Sequence, residues 1–412
     1  MSSGLGRRIG ITIGALLVVR LGTYISIPGI NPQTWDQMFR QQSGSILGTF
    51  DSLTGDGVGR LSIFALSIMP FVSASLLMQL ASIISRRLRA LPRQGEKGRR
   101  RLDVYTLVLT IVLAAFQALG IALALEGVGN VVPEPGTMFL LTTTLTLTGG
   151  VIFLVWLAGQ ITARGIGNGI ALIFAVGIVA ELPAAVASML DFGRRGLLSP
   201  GFMLALCLLA AALTAFIVHM ELARRQLEVT FRQQAGAQTI EGRAQLRLKL
   251  NNAGFVPAIL ASWLLLLPMS VAHLNAASWP EWIKALLEQL AHGRPLFLVI
   301  YGVAIVLCVF FYTAFLLNPD EIAEDLQKHG GVIAGVEPGD ATANRIDHVL
   351  SRTSAMGALY LAFVCLIPEI LVAKWSLPFY LGGTSLLILV CAILDLKAQL
   401  DQKLQEEGLE AR

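Results

Sequence analysis

Residues 104–125 read VYTLVLTIVLAAFQALGIALAL and contain no charged side chain. A helix that crosses the hydrocarbon core of a bilayer needs about 20 mostly apolar residues, so this stretch is long enough to span a membrane. Nine more stretches share its length and character: residues 9–27, 62–84, 138–158, 166–190, 201–221, 254–274, 297–317, 354–373 and 377–396. The sequence therefore predicts an all-α polytopic membrane protein with ten transmembrane helices.

The composition also indicates a membrane-embedded chain. Hydrophobic residues fill 55% of the 412 positions and charged residues only 14%, against about 25% charged in a typical soluble domain. So few charges cannot cover the surface of a soluble protein. The cysteines lie in apolar runs and the five histidines are scattered, so neither a disulfide, a metal site nor a cofactor is expected. The cysteines are Cys207, Cys308, Cys365 and Cys391.

Basic residues orient the predicted spans. With the N-terminus inside, 23 of the 31 Lys and Arg residues fall in cytoplasmic segments, eight of them within residues 86–101. The expected topology therefore places both termini in the cytoplasm. Residues 86–101 are interpreted as an orientation signal that touches anionic lipid.

Two of the cytoplasmic loops, residues 222–253 and 318–353, are long enough to fold. Each mixes apolar and charged residues at the density of a helical hairpin. They act either as solvated connectors or as surfaces for a partner, and the sequence leaves both interpretations open.

Charged side chains inside the spans are scarce. Arg20 is the only one placed well inside a predicted helix, while Glu181, Glu369 and Asp395 fall at span ends. A proton- or ion-coupled secondary transporter needs buried carboxylates, so this alternative is disfavoured. The sequence also lacks paired aspartates, a Ser–His pair and a nucleotide-binding loop, so the chain is not expected to be an enzyme.

Several predicted helices are interrupted. Residues 50–60 are polar and rich in glycine, and they lead straight into the second span. Such backbone must lie in water or line a cavity, because hydrocarbon offers it no hydrogen bonds. Pro70 and Pro257 are expected to break the second and seventh spans, and three glycines in residues 165–169 permit a close backbone approach. Together these features predict a bundle around a cavity, with a re-entrant segment inside it.

Seven strings carry a resemblance to a known family. They are RLGTYI (20–25), IPGI (27–30), LSIFALSIMP (61–70), GEKGRR (95–100), QI (160–161) with RGIGNGI (164–170), FYTA (311–314) with NP (318–319), and GGTSLLI (382–388). In their order and spacing they resemble the SecY family of protein-translocation channels, along nearly the whole chain.

The resemblance implies two inverted five-helix halves around an hourglass pore, residues 1–190 with spans 1–5 and residues 191–412 with spans 6–10. It also implies three groups of site residues. These are a ring of apolar side chains at the constriction (Ile68, Val72, Ile170, Phe174, Ile259 and Ile388), a plug that closes the outer funnel within residues 50–60 (Phe50, Asp51, Ser52, Leu53, Thr54 and Gly55), and a polar cluster on the lateral gate between spans 2–3 and 7–8 (Ser75, Gln117 and Ser262).

The function implied by the resemblance is that of the central channel subunit of the Sec translocon. Such a subunit passes unfolded secretory proteins across the bacterial cytoplasmic (inner) membrane and releases transmembrane segments sideways into the bilayer. The implied partners are small membrane subunits of the SecE and SecG type, the SecA motor ATPase or the ribosome, signal peptides, nascent chains and membrane lipid. Direct binding of nucleic acid is not expected.

The expected cytoplasmic face departs from the family pattern. Glu337 stands before Pro338 and Gly339, where the family usually has an arginine that engages the motor. The segment that begins with Arg224 and Arg225 lacks the usual Tyr-Ala-Lys/Arg string, and Gly159 and Ala163 replace two glutamates of the family. Arg224, Arg225 and Glu337 are the candidates for partner docking. The chain is either a divergent housekeeping subunit or a specialised second copy for a restricted set of substrates.

Overall fold

A computed structural model describes residues 3–35, 58–91, 95–127, 131–196, 198–235, 238–262, 264–265, 289, 294–333, 336–375 and 382–410. In chain order its elements are α1 (Ser3–Gly22), α2 (Met69–Ile84), α3 (Arg86–Ala90), α4 (Glu96–Glu126), α5 (Thr137–Arg164), α6 (Gly169–Arg194), α7 (Pro200–Leu222), β1 (Arg224–Ala235), β2 (Gln238–Lys249), α8 (Pro295–Leu316), α9 (Pro319–Lys328), β3 (Gly331–Ile333), α10 (Asp340–Trp375) and α11 (Gly383–Glu410). Residues 256–262 are also helical. The expected helical membrane fold is therefore confirmed, with one small sheet added to it.

The described helices overlap the predicted spans and share their apolar character. Within the described residues, seven helical segments are long and apolar enough to cross a membrane, and Met69–Ser82 forms a shorter apolar helix. α1 covers most of the first predicted span, and residues 266–274 of the seventh lie outside the described residues. Their outward faces carry large apolar side chains such as Phe116 and Leu359, as surfaces in contact with lipid require.

Two compact units make up the chain. One contains Met1–Ala205 with Leu371–Arg412, and the other contains Leu206–Ile370. In the first unit α4 packs on α2 and α5, α1 packs on α5 and α6, and α11 packs on α6. The predicted halves, residues 1–190 and 191–412, concern an internal repeat and stay a prediction.

The second span begins later than predicted. α2 starts at Met69 with Pro70 in its first turn, where the missing N–H of proline costs no helical hydrogen bond. Pro70 therefore starts a helix, and the interpretation that it breaks one is wrong. Pro257 likewise lies in the first turn of the helix at 256–262. The prolines inside described helices are Pro183 in α6 and Pro368 in α10.

The turn before α2 is held between the first helices. The N–H of Ile27 donates to the carbonyl of Leu61 at 2.9 Å, and the N–H of Ile63 donates to Ile25 at 2.9 Å. Gly150 of α5 lies so close to this turn that a Cβ there would overlap the carbonyl of Ile63. The backbone that leads into α2 is thus fixed by two short hydrogen bonds and by packing against a glycine.

The loop 222–253 is a β-hairpin, so the expected helical hairpin is wrong. β1 and β2 pair in antiparallel register from Arg224↔Lys249 to Ala235↔Gln238, and β3 adds to β1 at Val229↔Ile333, which gives the order β2-β1-β3. The physical reason is visible in the sequence, because apolar residues recur at every second position: Leu227, Val229 and Phe231, then Leu246, Leu248 and Leu250. This period of two is typical of a strand.

The second long loop folds onto the first. Val229 of β1 and Ile333 of β3 share a buried cluster with Ala323 of α9 and with Ala343 and Ile346 of α10. Both predicted loops therefore form one body with its own apolar core, built from residues 224–249 and 319–346. We call this body the three-stranded subdomain.

Candidate functional site

The glycine-rich turn at 165–169 brings three helices together at the start of α6. A Cβ on Gly169 would overlap the carbonyl of Ala158 in α5, and a Cβ on Gly165 would overlap the hydroxyl of Thr12 in α1. Gly167 has φ +93°, in the left-handed region that glycine favours. The predicted close approach of backbone at these glycines is confirmed.

Side-chain oxygens from three different helices satisfy the N–H groups of this turn. The hydroxyl of Thr12 in α1 accepts from Ile166 N at 2.9 Å, and Gln399 Oε1 in α11 accepts from Gly167 N at 2.8 Å. The hydroxyl of Thr162 in α5 accepts from Gly169 N at 2.9 Å. The turn is thus anchored to α1, α5 and α11 at once.

Asn168 caps α6 directly. Its Oδ1 accepts from Ile170 N at 3.0 Å and from Ala171 N at 3.4 Å, so two of the four unpaired N–H groups at this helix start find a partner. These bonds fix the first turn of α6, which carries Ile170 and leads to Phe174 one turn further along the same face.

The six predicted ring residues share a position in their helices. Ile68 is the N-cap residue of α2, and the other five lie within the first two turns of their helices. These helices are α2, α6, α11 and the helix at 256–262. Five belong to the first unit, where Ile68, Phe174 and Ile388 are fully buried and Val72 and Ile170 are partly buried. Ile259, in the second unit, is also buried. That these side chains meet around one pore stays a prediction.

The predicted gate residues fall on three helices. Ser75 of α2 and Gln117 of α4 are partly buried on two helices that pack against each other. Ser262 lies in the second unit, where its hydroxyl donates to the carbonyl of Ala258 at 3.0 Å and lies 3.1 Å from the hydroxyl of Tyr301. Tyr301 of α8 is a polar residue that the sequence interpretation missed, and its position inside a long apolar run was the available signal.

The predicted plug residues Phe50, Asp51, Ser52, Leu53, Thr54 and Gly55 lie outside the described residues. Arg20, expected well inside the first span, lies in the last turn of α1, because the helix ends at Gly22. Its guanidinium donates to the hydroxyls of Thr23 at 3.4 Å and Tyr24 at 3.2 Å. The interpretation of Arg20 as an interior charge is therefore wrong, and a cation at a helix C-terminus is favoured by the helix dipole.

A buried polar cluster in the second unit was not predicted. Glu221 Oε1 of α7 accepts from Asn251 Nδ2 at 2.7 Å and from the hydroxyl of Tyr360 in α10 at 3.3 Å. Asn251 Nδ2 also donates to the carbonyl of Gly254 at 3.1 Å. These residues are far apart in sequence, so no local pattern could have joined them.

The predicted docking residues are on the surface. Arg224 and Arg225 are the exposed first residues of β1, and Glu337 is exposed between β3 and α10. The carbonyl of Glu337 accepts from the hydroxyl of Thr342 at 2.8 Å, which fixes the backbone while the carboxylate faces outward. Among the residues with described positions, no cluster of potential metal ligands is found.

Comparisons with known proteins agree on one family. The family model described as SecY matches residues 62–397. The protein translocase subunit SecY of Vibrio cholerae is 41% identical over 416 residues, covering 99% of this chain and 94% of that protein. The subunit of the same name from Escherichia coli K12 is 41% identical over 418 residues, with the same coverage.

Solved structures share the fold. The one described as "The structure of a protein conducting channel" superposes with a TM-score of 0.67 at 16% identity, covering 97% of this chain and 92% of that one. "Sec61 in the Canine ribosome-channel complex from the endoplasmic reticulum" superposes with a TM-score of 0.64 at 16% identity and the same coverage.

Proposed function

Because this chain belongs to the SecY family, we propose that it is the central channel subunit of a bacterial Sec translocon. It passes unfolded secretory proteins across the membrane and releases transmembrane segments sideways into the bilayer. The observation that carries this proposal is the match over nearly the full length to translocase subunits at 41% identity, within a fold shared with protein-conducting channels.

The apolar ring supplies the seal in this proposal. A narrow collar of Ile68, Val72, Ile170, Phe174, Ile259 and Ile388 would expel water, and a dewetted constriction resists ions without any charged filter. Such a collar makes no specific hydrogen bond, so it yields to a passing chain of any sequence. The anchored turn before α6 supports this role, since it fixes the helix that carries Ile170 and Phe174.

The plug at residues 50–60 and the lateral gate complete the proposal. A signal peptide is an apolar helix, so it gains free energy when it leaves water for lipid through a sideways opening. Ser75, Gln117 and Ser262 would mark that opening. The chain acts here as a passive channel and not as an enzyme, so its driving force comes from a partner.

The partners we propose are small membrane subunits of the SecE and SecG type, with the SecA motor ATPase or the ribosome supplying the force. The three-stranded subdomain is the docking surface, with Arg224, Arg225 and Glu337 exposed on it. We place the chain in the cytoplasmic (inner) membrane, and the distribution of Lys and Arg supports an orientation with both termini and this subdomain in the cytoplasm.

Crosslinking tests the channel. In a variant without the four native cysteines, single cysteines replace Thr54, Ile68 or, as a lipid-facing control, Leu208, which is 62% exposed. We expect a stalled secretory precursor to crosslink at positions 54 and 68 and not at 208. A precursor that reaches neither position, in vesicles that transport a small solute, would overturn the proposal.

The charge at Glu337 tests motor docking. If the acidic residue weakens contact with a SecA motor of ordinary family type, Glu337→Arg raises precursor transport driven by that motor, because it restores the cation that the family usually has. Glu337→Gln, which only removes the negative charge, should give a smaller increase. Equal transport by all three proteins would show that this chain docks its motor elsewhere.

A further inference from the structure

The two ends of the β-hairpin meet at a buried polar junction. The N–H of Leu250 donates to the carbonyl of Ala223 at 3.0 Å, directly below the first strand pair, Arg224↔Lys249. The chain therefore enters the hairpin from α7 and leaves it toward the helix at 256–262 through adjacent points. Any displacement of the hairpin must act on this junction first.

A carboxylate ties the junction together. Glu221 is the penultimate residue of α7. Its carboxylate accepts hydrogen bonds from Asn251 at 2.7 Å and from Tyr360 at 3.3 Å. Asn251 is 4% exposed and Tyr360 is 3% exposed. The low exposure of these two partners shields their hydrogen bonds from competition by water. One side chain thus joins α7, the end of the hairpin and α10.

Close packing also places α10 against the end of the hairpin. A Cβ on Gly357 would lie 2.9 Å from the carbonyl of Leu250, so the backbone of α10 is almost in contact with the end of the hairpin. The ring of Phe216 in α7 packs edge-on against Tyr360, with centroids 5.8 Å apart. The hydrogen bonds and this packing make the junction a single body.

The same asparagine reaches the next helix. Asn251 Nδ2 donates to the carbonyl of Gly254, two residues before the helix at 256–262 begins. That helix carries Ile259 of the proposed ring and Ser262 of the proposed gate, and Ser262 contacts Tyr301 of α8 at 3.1 Å. A continuous set of contacts therefore runs from the hairpin base to these two residues.

We infer that Glu221, Asn251 and Tyr360 are positioning residues that transmit a displacement of the β-hairpin to the start of the helix at 256–262. A partner that binds the three-stranded subdomain would thereby move Ile259 and Ser262 without touching them. The consequence for transport rests on the proposed function. The coupling itself is a property of the second unit and can be measured without transport.

Hydrogen exchange of the full-length protein in lipid nanodiscs measures the coupling. Asn251→Ala should raise amide exchange at residues 255–262 by about tenfold, because Glu221 and the carbonyl of Gly254 both lose their hydrogen-bond donor. Asn252→Ala is the matched control, since Asn252 Nδ2 is buried without a hydrogen-bond partner among the described residues. The control should leave exchange at these residues unchanged. Equal effects of the two substitutions would overturn the inference.

Swapping the hydrogen-bond donor and acceptor between positions 251 and 221 gives a second test. Asn251→Asp alone places two carboxylates together and should raise exchange at least as much as Asn251→Ala. Adding Glu221→Gln restores a donor opposite an acceptor, so exchange should fall below that of Asn251→Asp alone, although the bond from residue 251 to the carbonyl of Gly254 stays lost. A double variant no better than Asn251→Asp would contradict direct coupling. Tyr360→Phe removes one hydroxyl and keeps the ring, so it provides a milder variant if the others fail to fold.

Measurements of precursor transport distinguish the structural coupling at the junction from its consequence for the proposed channel function. With the motor ATPase bound, Asn251→Ala should lower precursor transport severalfold more than Asn252→Ala does. If the wild-type protein transports no precursor, the proposed function fails, while the exchange measurements still decide the coupling. If transport falls equally in both variants while exchange differs, the junction is coupled but does not carry the signal from the motor.

Discussion

Two helices that carry proposed ring residues begin in different ways. The turn before α6 has its N–H groups at Ile166, Gly167 and Gly169 bound by side chains from α1, α11 and α5. The junction before the helix at 256–262 leaves Asn251 Oδ1 and Asn252 Nδ2 buried without a hydrogen-bond partner among the described residues. The first start is therefore anchored by side chains from three helices, whereas at the second start Asn251 Nδ2 donates to the carbonyl of Gly254.

Gly254 adds to this difference. It adopts φ +63° with open space around the position of a Cβ, whereas Gly169 lies against the carbonyl of Ala158. One glycine is required for its backbone conformation and the other for close contact. Substitutions at Gly169 should therefore mainly lower the free energy of unfolding, and substitutions at Gly254 should mainly change local amide exchange.

The largest effect is expected from Gly169→Ala. The added methyl group overlaps backbone that cannot move aside, which should lower the free energy of unfolding by about 3 kcal/mol or more. Gly159→Ala on α5 is the control, since a Cβ there meets nothing within 4 Å. Thermal unfolding in detergent measures both. A Gly169→Ala protein as stable as the control would show that the turn is not tightly packed.

Thr12→Val should have the next largest effect. Valine keeps the shape of threonine but leaves the buried N–H of Ile166 without its acceptor, at a cost of about 1–3 kcal/mol. Thr12→Ser retains the hydroxyl and should recover most of the loss. Unfolding midpoints of the three proteins test this. Equal losses for valine and serine would indicate that packing of the methyl group, and not the hydrogen bond, anchors the turn.

The smallest effect is expected from Gly254→Ala at the second start. Alanine in the left-handed region costs about 1–2 kcal/mol, and the surrounding space adds no clash. The change should appear mainly as faster amide exchange at residues 255–262, with a small shift in the unfolding midpoint. Gly201→Ala in α7 also adds a methyl group in open space, without the strained backbone, and should not have this effect. A large drop in global stability would remove the contrast between the two starts.

The sequence predicts the apolar elements of this fold well, because spans depend on long runs whose composition alone decides their environment. The glycines at 165–169 were also informative, since three glycines at a helix start have few other causes. The turn before α2 was misplaced because the apolar run from Ile63 continues through Met69, and only pairing with residues 25–27 shows that it is not helical.

Features that depend on distant partners were missed. Glu221, Asn251 and Tyr360 are separated by 30 and 109 positions, so their meeting requires the folded chain. The β-hairpin was mispredicted for a different reason. Its apolar residues recur with a period of two, but the helical prediction rested on the overall mixture of apolar and charged residues. Local periodicity predicts such a segment better than its composition does.

The shared core of the three-stranded subdomain has a consequence for protein engineering and for evolution. Val229 comes from one connection of the chain, and Ile333 and Ile346 come from another, yet they bury one another. A chimera that imports only one connection from a relative would pair mismatched apolar surfaces and expose them to water. The two connections are therefore expected to evolve together, so that substitutions in the buried residues of one are matched by changes in the other.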